Sequence, residues 1–595
     1  MPNVNGQFQG QQLIFPGAYT AFNDNATTPT NPAATPPLIF IGQGYGGTPN
    51  TPIPHSTSTG LAQTIRGGPA AEFIPFIFDP SPQLNGAQQV IYINPSPNTQ
   101  SSLTLNDSSP SGVITLTSAN YGTPSNLLQA SVGAGTVAGI KLTIYDSFAA
   151  KNGYTTQAQF VGDNLGVPFN LAYTGSSSGV TYSVTTSGGV ATNFILNGPT
   201  SEESLNLPLG GETYGTISAV VEAINGTGYY SANVISDGNM PSTNLDAASG
   251  VALAAPTNSV DNYVNVTATL GQIVYWVNTY ASSLATAAIP SGIVSSPSVA
   301  PVQIGLTNFS GATNGVATLQ DYANAFNTAL GVAGWVIITD SNDLGVMALG
   351  QQHVATASSI TERKFRRFFT GSSVGETVAQ ALQAAQDMDA SNVTYAYPGI
   401  SYINTKTGLV DTVGGRYAAA AAAGMACGNR VAIPLTAKAL NGTGVEVQLT
   451  TSEVNQLVNG GVMPIHLSQS TGVPTIIRDI TTWQLDNNPE HVFNQQVACQ
   501  YYLAYTLNQG LQPYIGGIAS PYSVGRIQNA VKKLLNALIY TEGSNGVISS
   551  WNPKTLQVTY SGETSTASVQ VDVVFVGQVD FITNYILVQP LTLAA

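Results

Sequence analysis

The sequence predicts a multi-domain protein of the α/β (α+β) class, with an α/β core, an inserted β-rich domain and a C-terminal helix-plus-sheet module. Strand-like and helix-like segments alternate between about residues 330 and 400, as in a sheet with helical crossovers. Residues 101–254 are rich in Ser, Thr and Gly and contain short alternating segments. Residues 481–595 combine one amphipathic helix with period-two strands. A chain of 595 residues is long enough for three or more domains.

Residues 1–35 predict an extended N-terminal arm. They are rich in Asn, Thr, Pro and Gln around one apolar island that contains Leu13, Ile14, Phe15 and Tyr19. An apolar segment this short cannot form a core of its own, so we expect it to bind elsewhere. At about 3.3 Å per residue the arm would reach about 100 Å, far enough to contact another subunit.

Residues 36–100 are the predicted first part of the core, beginning with a buried strand at 37–41. The glycine-rich run 42–47 that follows has a spacing similar to a dinucleotide-binding loop. Three prolines come next where that loop requires a helix, so we interpret the run as a turn. We interpret the second run, 133–139, in the same way.

Residues 101–254 predict a small β-sandwich or barrel inserted in the chain, with one helix near 214–224. Residues 255–480 predict the second part of the core. Strands are expected at 335–339, 365–370 and 393–397, and helices at 344–358 and 374–389.

Asp340 and Asp343 follow the first of these core strands, at a position where ligands often bind in α/β sheets. We interpret Ser341 and Asp343 as caps of the next helix, and a ligand site is the alternative.

The C-terminal module, residues 481–595, predicts an amphipathic helix over 524–538 that begins at Ser520 or Ser523. Half-buried strands are expected at 556–560 and 569–575, and an edge strand at 581–588. An unpaired edge strand invites another chain to extend the sheet.

The composition excludes several partners. Only 8% of residues are charged and the net charge is −14, which argues against nucleic acid and anionic membranes. A surface poor in charge is easier to bury between subunits. The longest apolar run, 417–426, is shorter than the roughly 20 residues of a membrane span. The N-terminus lacks the pattern of a signal peptide, so we expect a cytoplasmic protein.

No catalytic or metal-binding pattern is present, so we predict no enzyme activity, no metal and no cofactor. The four histidines, His55, His353, His466 and His491, are far apart and lack metal spacing. Each of the two cysteines lies in an apolar context, so we predict that Cys427 and Cys499 are buried thiols.

One basic cluster stands out: Arg363, Lys364, Arg366 and Arg367 lie within six residues. It is interpreted either as a solvated helix end or as an anchor for an acidic surface on a neighbouring subunit.

Several segments together resemble contractile tail sheath proteins, as found in phages and related injection machines. They include Phe15-Pro-Gly-Ala-Tyr19, the strand and loop from Leu38 to Pro52, and Gly67 to Pro95. Further matching segments are Tyr397-Pro-Gly399, the Ala-rich helix after Gly415, Pro434 to Leu440, and Arg478 to Trp483. The resemblance covers nearly all of the chain except the insertion.

The resemblance implies a structural subunit that forms a helical sleeve around an inner tail tube protein and contracts to drive the tube through the target cell envelope. It further implies baseplate and tail terminator proteins as partners, a place in the virion tail, and assembly in the host cytoplasm.

The resemblance also implies that both ends of the chain exchange strands with adjacent copies. The implied positions are Leu13, Ile14, Phe15, Tyr19, Val569, Val571, Val573, Phe575, Phe581, Ile582, Tyr585 and Ile586. Lys532 and Lys533, on the C-terminal helix, are candidates for facing the tube or a neighbour. A non-contractile array protein, an adhesive β-rich surface protein and a nucleotide-driven motor remain the alternatives.

Overall fold

A computed structural model describes residues 37–154, 158–257, 261–404 and 407–580, and the backbone of residues 6–8 and 11–13. The first two segments pair as an antiparallel hairpin of β1 and β2. The elements up to residue 93 are β1 (Gly6–Phe8), β2 (Gln11–Leu13), β3 (Leu38–Ile41), β4 (Ile53–His55), α1 (Ser58–Ile65), α2 (Ile74–Phe78) and β5 (Val90–Ile93).

A β-rich region follows. Its elements are β6 (Gln100–Asn106), β7 (Gly112–Tyr121), β8 (Leu128–Ala134), β9 (Ile140–Asp146), α3 (Ser147–Lys151), β10 (Gln159–Leu165), β11 (Phe169–Tyr173), β12 (Thr181–Ser187), β13 (Val190–Asn197), β14 (Leu205–Pro208), α4 (Ile217–Asn225), β15 (Tyr230–Val234), β16 (Ala248–Ala252), β17 (Val264–Val266), α5 (Thr269–Tyr280), β18 (Ala285–Ala288) and β19 (Ile304–Asn308).

The chain then returns to the core. Its elements are α6 (Leu319–Leu330), β20 (Val336–Thr339), α7 (Leu344–Ala357), β21 (Arg367–Gly371), α8 (Val378–Met388), β22 (Val393–Tyr397), β23 (Ile400–Ile403), β24 (Val410–Val413), α9 (Gly415–Gly428), β25 (Gly444–Val445), α10 (Thr451–Asn459), β26 (Val462–Leu467) and β27 (Pro474–Ile476). The C-terminal module contains α11 (Pro489–Val492), α12 (Asn494–Leu511), α13 (Pro521–Ala537), β28 (Ile548–Trp551), β29 (Gln557–Ser561), β30 (Thr566–Gln570) and β31 (Val573–Phe575).

An eight-stranded sheet in the order β27-β26-β22-β21-β20-β3-β5-β4 organises the core. Its strands are parallel except β4 and β27, which are antiparallel at the two edges. Residues on one face pack against α1, α2 and α9, and those on the other face against α6, α7, α8 and α10. Burial on both faces explains why β3 is apolar throughout and β20 is apolar up to its last residue. The predicted α/β class is confirmed, as are the strands and helices expected between 335 and 397.

The β-rich region contains two apolar cores, one around α5 and one around α4. The predicted boundary at 254 falls inside this region, because β18 pairs with β7 and β19 pairs with β8. These pairings join segments far apart in the sequence, and no local pattern reveals them. The region leaves the core after β5 and returns before α6.

Candidate assembly surface in the C-terminal module

The helix α12 lies across the amino edge of the parallel sheet, where the core strands begin. The indole ring of Trp335, just before β20, contacts the rings of Tyr502 and Tyr505 at centroid distances of 5.2 and 5.3 Å. Phe365, just before β21, contacts the ring of Tyr501 at 5.6 Å. Aromatic rings on one face of α12 therefore hold the module on the core.

Buried polar groups complete this contact. The side chain of Asn494 donates to Asp479 Oδ1 at 3.0 Å and to Thr394 Oγ1 at 2.6 Å. Arg367 donates to the carbonyl oxygen of Asn494 at 3.3 Å. Burial raises the pKa of Asp479 and lowers the pKa of Arg367. The module is thus fixed to the core by groups that are costly to separate from their partners.

The second helix of the module, α13, begins at a capping box in which Ser520 accepts from the Ser523 N–H at 3.1 Å. Pro521 occupies its first turn, and the predicted helix start is confirmed. Its buried stripe consists of Val531, Leu535 and Leu538, which pack in the core of the module.

The opposite side of α13 is exposed and basic. Tyr522, Arg526, Asn529 and Lys533 recur at helical spacing and are all exposed, and we call them the outer stripe of α13. Lys532 lies beside the stripe and is half-buried. Residues 494–541 contain three basic residues and no Asp or Glu, in a chain of net charge −14. The helix pair is therefore a local cationic surface.

The module's strands form two small ladders, β28 with β31 and β29 with β30. Within the described ranges, each of these strands except β28 has a single paired neighbour in the module. The predicted strand 569–575 is divided between the two ladders. The division occurs at Asp572, whose N–H donates to Thr555 Oγ1 and whose carbonyl accepts from Asn552 N–H, both at 3.0 Å.

The predicted exchange positions within the module are half-buried against its own core: Val569, Val571, Val573 and Phe575. The chain then continues over this subunit, where Gln495 donates to the Val576 carbonyl at 3.0 Å and Arg478 pairs with Asp580 at 2.9 Å. The remaining exchange positions lie outside the described residues, or have no described side chain: Leu13, Ile14, Phe15, Tyr19, Phe581, Ile582, Tyr585 and Ile586.

The basic cluster before β21 is largely internal, and the prediction that Arg366 and Arg367 face a neighbour or the tube is wrong. Arg366 is fully buried and donates to the carbonyls of Ala329 at 2.7 Å and Gly334 at 2.9 Å. It therefore satisfies carbonyl groups at the end of α6. Lys364 also donates to the Leu330 carbonyl, at 2.5 Å. Of the four residues, Arg363 and Lys364 are half-buried and retain a surface fraction.

The thiols and the glycine-rich loop are structural. Cys427 and Cys499 are buried and unpaired with each other, as predicted, and burial raises the pKa of each to about 12. The loop 42–47 is filled by Asn94, whose side chain donates to the carbonyls of Gly44 and Gly46 at 3.1 and 2.8 Å.

No group of three His, Cys, Asp or Glu side chains suitable for a metal occurs in the described ranges. None of the helices described has the length and hydropathy of a membrane span.

Asp340 is a buried residue whose role sequence reasoning missed. Its carboxylate accepts from the Tyr322 hydroxyl at 2.7 Å and from the Gln43 N–H at 2.7 Å. Burial raises its pKa to about 6. These contacts join the end of β20 to the loop after β3 and to α6. Asp343 caps α7 through the Val346 N–H at 3.1 Å, as expected.

Comparison with known proteins matches this architecture to phage proteins. The chain is 25% identical over 491 residues to the tail sheath protein of Bacillus phage SP01, covering 81% of this chain and 80% of that relative. It is 23% identical over 555 residues to the putative tail sheath protein of Enterococcus phage phiEF24C, covering 90% of each. No protein-family profile matches the chain.

A solved structure has the same fold. The sheath tail protein Lin1278 of Listeria innocua superposes with a TM-score of 0.55 at 10% identity, covering 92% of this chain and 93% of that one. The resemblance to tail sheath proteins that the sequence motifs indicate is thereby confirmed.

Proposed function

We infer that this chain is a contractile tail sheath protein, and from that premise we propose that it polymerises as a helical sleeve around an inner tail tube protein and contracts to drive the tube through the target cell envelope. The similarity to a phage tail sheath protein over four-fifths of both chains carries this proposal. Its role is structural, without enzyme activity. It acts in the virion tail, is assembled in the host cytoplasm, and contacts the baseplate and tail terminator proteins.

The small ladders of the C-terminal module support strand exchange between copies. Two-stranded ladders are marginal on their own, since three or more strands are needed for independent stability. The ladders β28–β31 and β29–β30 have only two strands each within the described residues. Guest strands from the segments around 13–19 and 581–588 of adjacent copies would complete them. Val569, Val571, Val573 and Phe575 are the host positions in this scheme.

Lys532 and Lys533 are proposed to face the tube or a neighbouring copy, because they lie on the cationic side of α13. The half-buried residues Arg363 and Lys364 could contribute at the margin of a contact between copies.

The experiment is electron microscopy of the purified full chain, in which we expect hollow sleeves of uniform diameter. Removal of residues 1–22 should leave a folded, soluble subunit that no longer forms long sleeves. A matched variant keeps the arm length and replaces Leu13, Ile14, Phe15 and Tyr19 by Ser, and it should fail in the same way. Normal sleeves from both variants would contradict strand exchange by the N-terminal arm.

Two observations would discriminate the alternatives. Flat sheets instead of sleeves would favour the non-contractile array. Binding of the full chain to a glycan array would favour the adhesive protein.

A further inference from the structure

We propose that an apolar, acidic rim at the carboxyl edge of the eight-stranded sheet binds the outer stripe of α13 in a second copy of this chain. We call this surface the carboxyl rim and define it by Leu319, Leu344, Val374, Leu409, Val410 and Val447. The inference rests on the proposed function, since it assigns one contact within the sleeve.

Exposed apolar side chains concentrate on the rim. Leu344 and Val374 directly follow the loops that leave β20 and β21, and they are 69% and 57% exposed. Leu409 and Val410 lie in the hairpin that follows β22 and are 67% and 61% exposed. Apolar clusters of this kind on a soluble protein mark interaction surfaces.

Contacts between neighbouring loops join the parts of the rim at the starts of α6 and α7 and after β21. A methyl group placed on Gly345 would lie 3.1 Å from a terminal carbon of Leu319, so this side chain lies against the first turn of α7. The side chain of Asn342 donates to Ser373 Oγ, which joins the loops after β20 and β21.

On the far side of the rim, one carboxylate links two backbone segments. Glu446 accepts from the Gly375 N–H at 2.5 Å and from the Gly399 N–H at 3.1 Å. It thereby ties the loop after β21 to the segment after β22.

The rim is acidic. Five carboxylates besides Glu446 lie on its loops and helix starts: Asp321, Asp343, Glu376, Asp411 and Glu453. Two rims facing each other would bring like charges together, which costs several kcal/mol in an interface. A symmetric contact is therefore disfavoured, and the rim requires a partner of opposite charge.

The opposite charge lies on the opposite edge of the same subunit. Among the described residues, the fully exposed basic side chains are Lys141, Lys151, Arg430, Arg526, Lys533 and Lys554. The last three belong to the C-terminal module, and Arg430 donates to the Ser544 carbonyl within it at 3.2 Å. The outer stripe also offers apolar surface, because Tyr522 is 78% exposed and Ile518, just before α13, is 89% exposed.

This placement puts two complementary surfaces, the carboxyl rim and the outer stripe of α13, on opposite sides of one subunit. The module covers the amino edge of the sheet through α12, and the rim lies at the carboxyl edge. A contact between two different surfaces of one chain repeats without closing and generates a helical filament when the rotation does not return to the start. The occupant of the rim is therefore the C-terminal module of the next copy.

The test places like charge on each surface in a separate variant and then mixes the two variants. A rim variant carries Leu344→Lys and Val374→Lys, and a stripe variant carries Arg526→Glu and Lys533→Glu. All four side chains are exposed, so each variant should fold, with circular dichroism and melting temperature as checks. We expect the critical concentration for sleeve formation to rise at least about tenfold in each variant.

An equimolar mixture of the two variants should form pairs but no sleeves, because each pair joins the intact stripe of the rim variant to the intact rim of the stripe variant and leaves only altered surfaces free. The matched control, Val137→Lys with Val190→Lys, places two lysines at exposed valines of the β-rich region and should assemble as the unmodified chain does.

Three outcomes overturn the inference. The two variants could assemble normally, or their mixture could form no pairs. The stripe variant could also form normal sleeves while losing affinity for a tube protein, which would assign the stripe to the tube. In each case sleeves of the unmodified chain leave the proposed function intact, whereas its failure to form sleeves would contradict that function itself.

Discussion

Replacement of Arg366 by Met should destabilise the core locally by about 3 kcal/mol. The guanidinium donates to the carbonyls of Ala329, Gly334 and Val332 and contacts His353 Nε2 at 2.8 Å. An unsatisfied buried carbonyl costs about 1–3 kcal/mol. The free-energy cost of leaving three carbonyls without a donor exceeds the gain from no longer burying a charge. Burial of that charge lowers the pKa of Arg366 to about 10.

The geometry also predicts how the loss of stability ranks among variants. Lys at position 366 keeps the charge but lacks the planar fork, so it can satisfy only part of this set, and we expect an intermediate loss of about 2 kcal/mol. Arg526→Met is the matched control, because Arg526 is exposed on α13 and its removal should change stability by less than about 0.5 kcal/mol.

Hydrogen exchange measured by mass spectrometry is the suitable assay, since unfolding of a multi-domain chain need not be two-state. A loss of 3 kcal/mol corresponds to roughly a hundredfold faster exchange in the last turn of α6 and the first residues of β21. Exchange in β29 and β30 should not change. Protection of α6 within about twofold of the unmodified chain would refute the reasoning.

The remaining predictions concern buried charges and thiols. In the fold, burial raises the pKa of Asp340 to about 6 from its ordinary value of 3.8, so folding favours the protonated form. Stability is therefore gained as the pH falls from about 6 to 4 and lost as it rises through 6. Asp340→Asn should remove this dependence, up to about 3 kcal/mol, in melting curves recorded at pH 4 and pH 7. Arg66 and Asp146 form a buried ion pair at 2.6 Å that joins α1 to the β-rich region. Replacing either by Ala should cost about 3–5 kcal/mol and accelerate proteolysis between the two regions, and a double-mutant cycle should show strong coupling. Cys427 and Cys499 should not react with a thiol reagent until the chain is unfolded, because burial raises the pKa of both.

Local sequence patterns predicted the elements whose identity depends on their own residues. The strand before Asp340 has three apolar residues in a row and is followed by a capped helix, so pattern and capping agree there. The start of α13 was predictable for the same reason, since Ser520 and Pro521 are local signals. By contrast, the end of the β-rich region depends on pairings between β18 and β7 and between β19 and β8, which no window of sequence contains.

The basic cluster shows a second limit. Four cations within six residues are typical of a solvated segment, yet Arg366 and Arg367 enter the sheet at the start of β21. Their partners come from α6, the loop before β20 and α12, which are far away in sequence. The available signal was the aromatic context, Phe365 before the pair and Phe368 and Phe369 after it, which is typical of a buried strand and not of a surface.

The burial of these arginines bears on how copies meet. The chain has only 16 Lys and Arg residues, and three of them, Arg66, Arg366 and Arg367, are buried. Much of the exposed positive charge is left on the module, chiefly on α13, while six carboxylates lie on the carboxyl rim. In a chain with so few charges, a separation of this kind orients neighbouring copies more strongly than it would on an evenly charged surface. Added salt should therefore weaken sleeve assembly, although the net charge of −14 would by itself make salt favour association by screening repulsion.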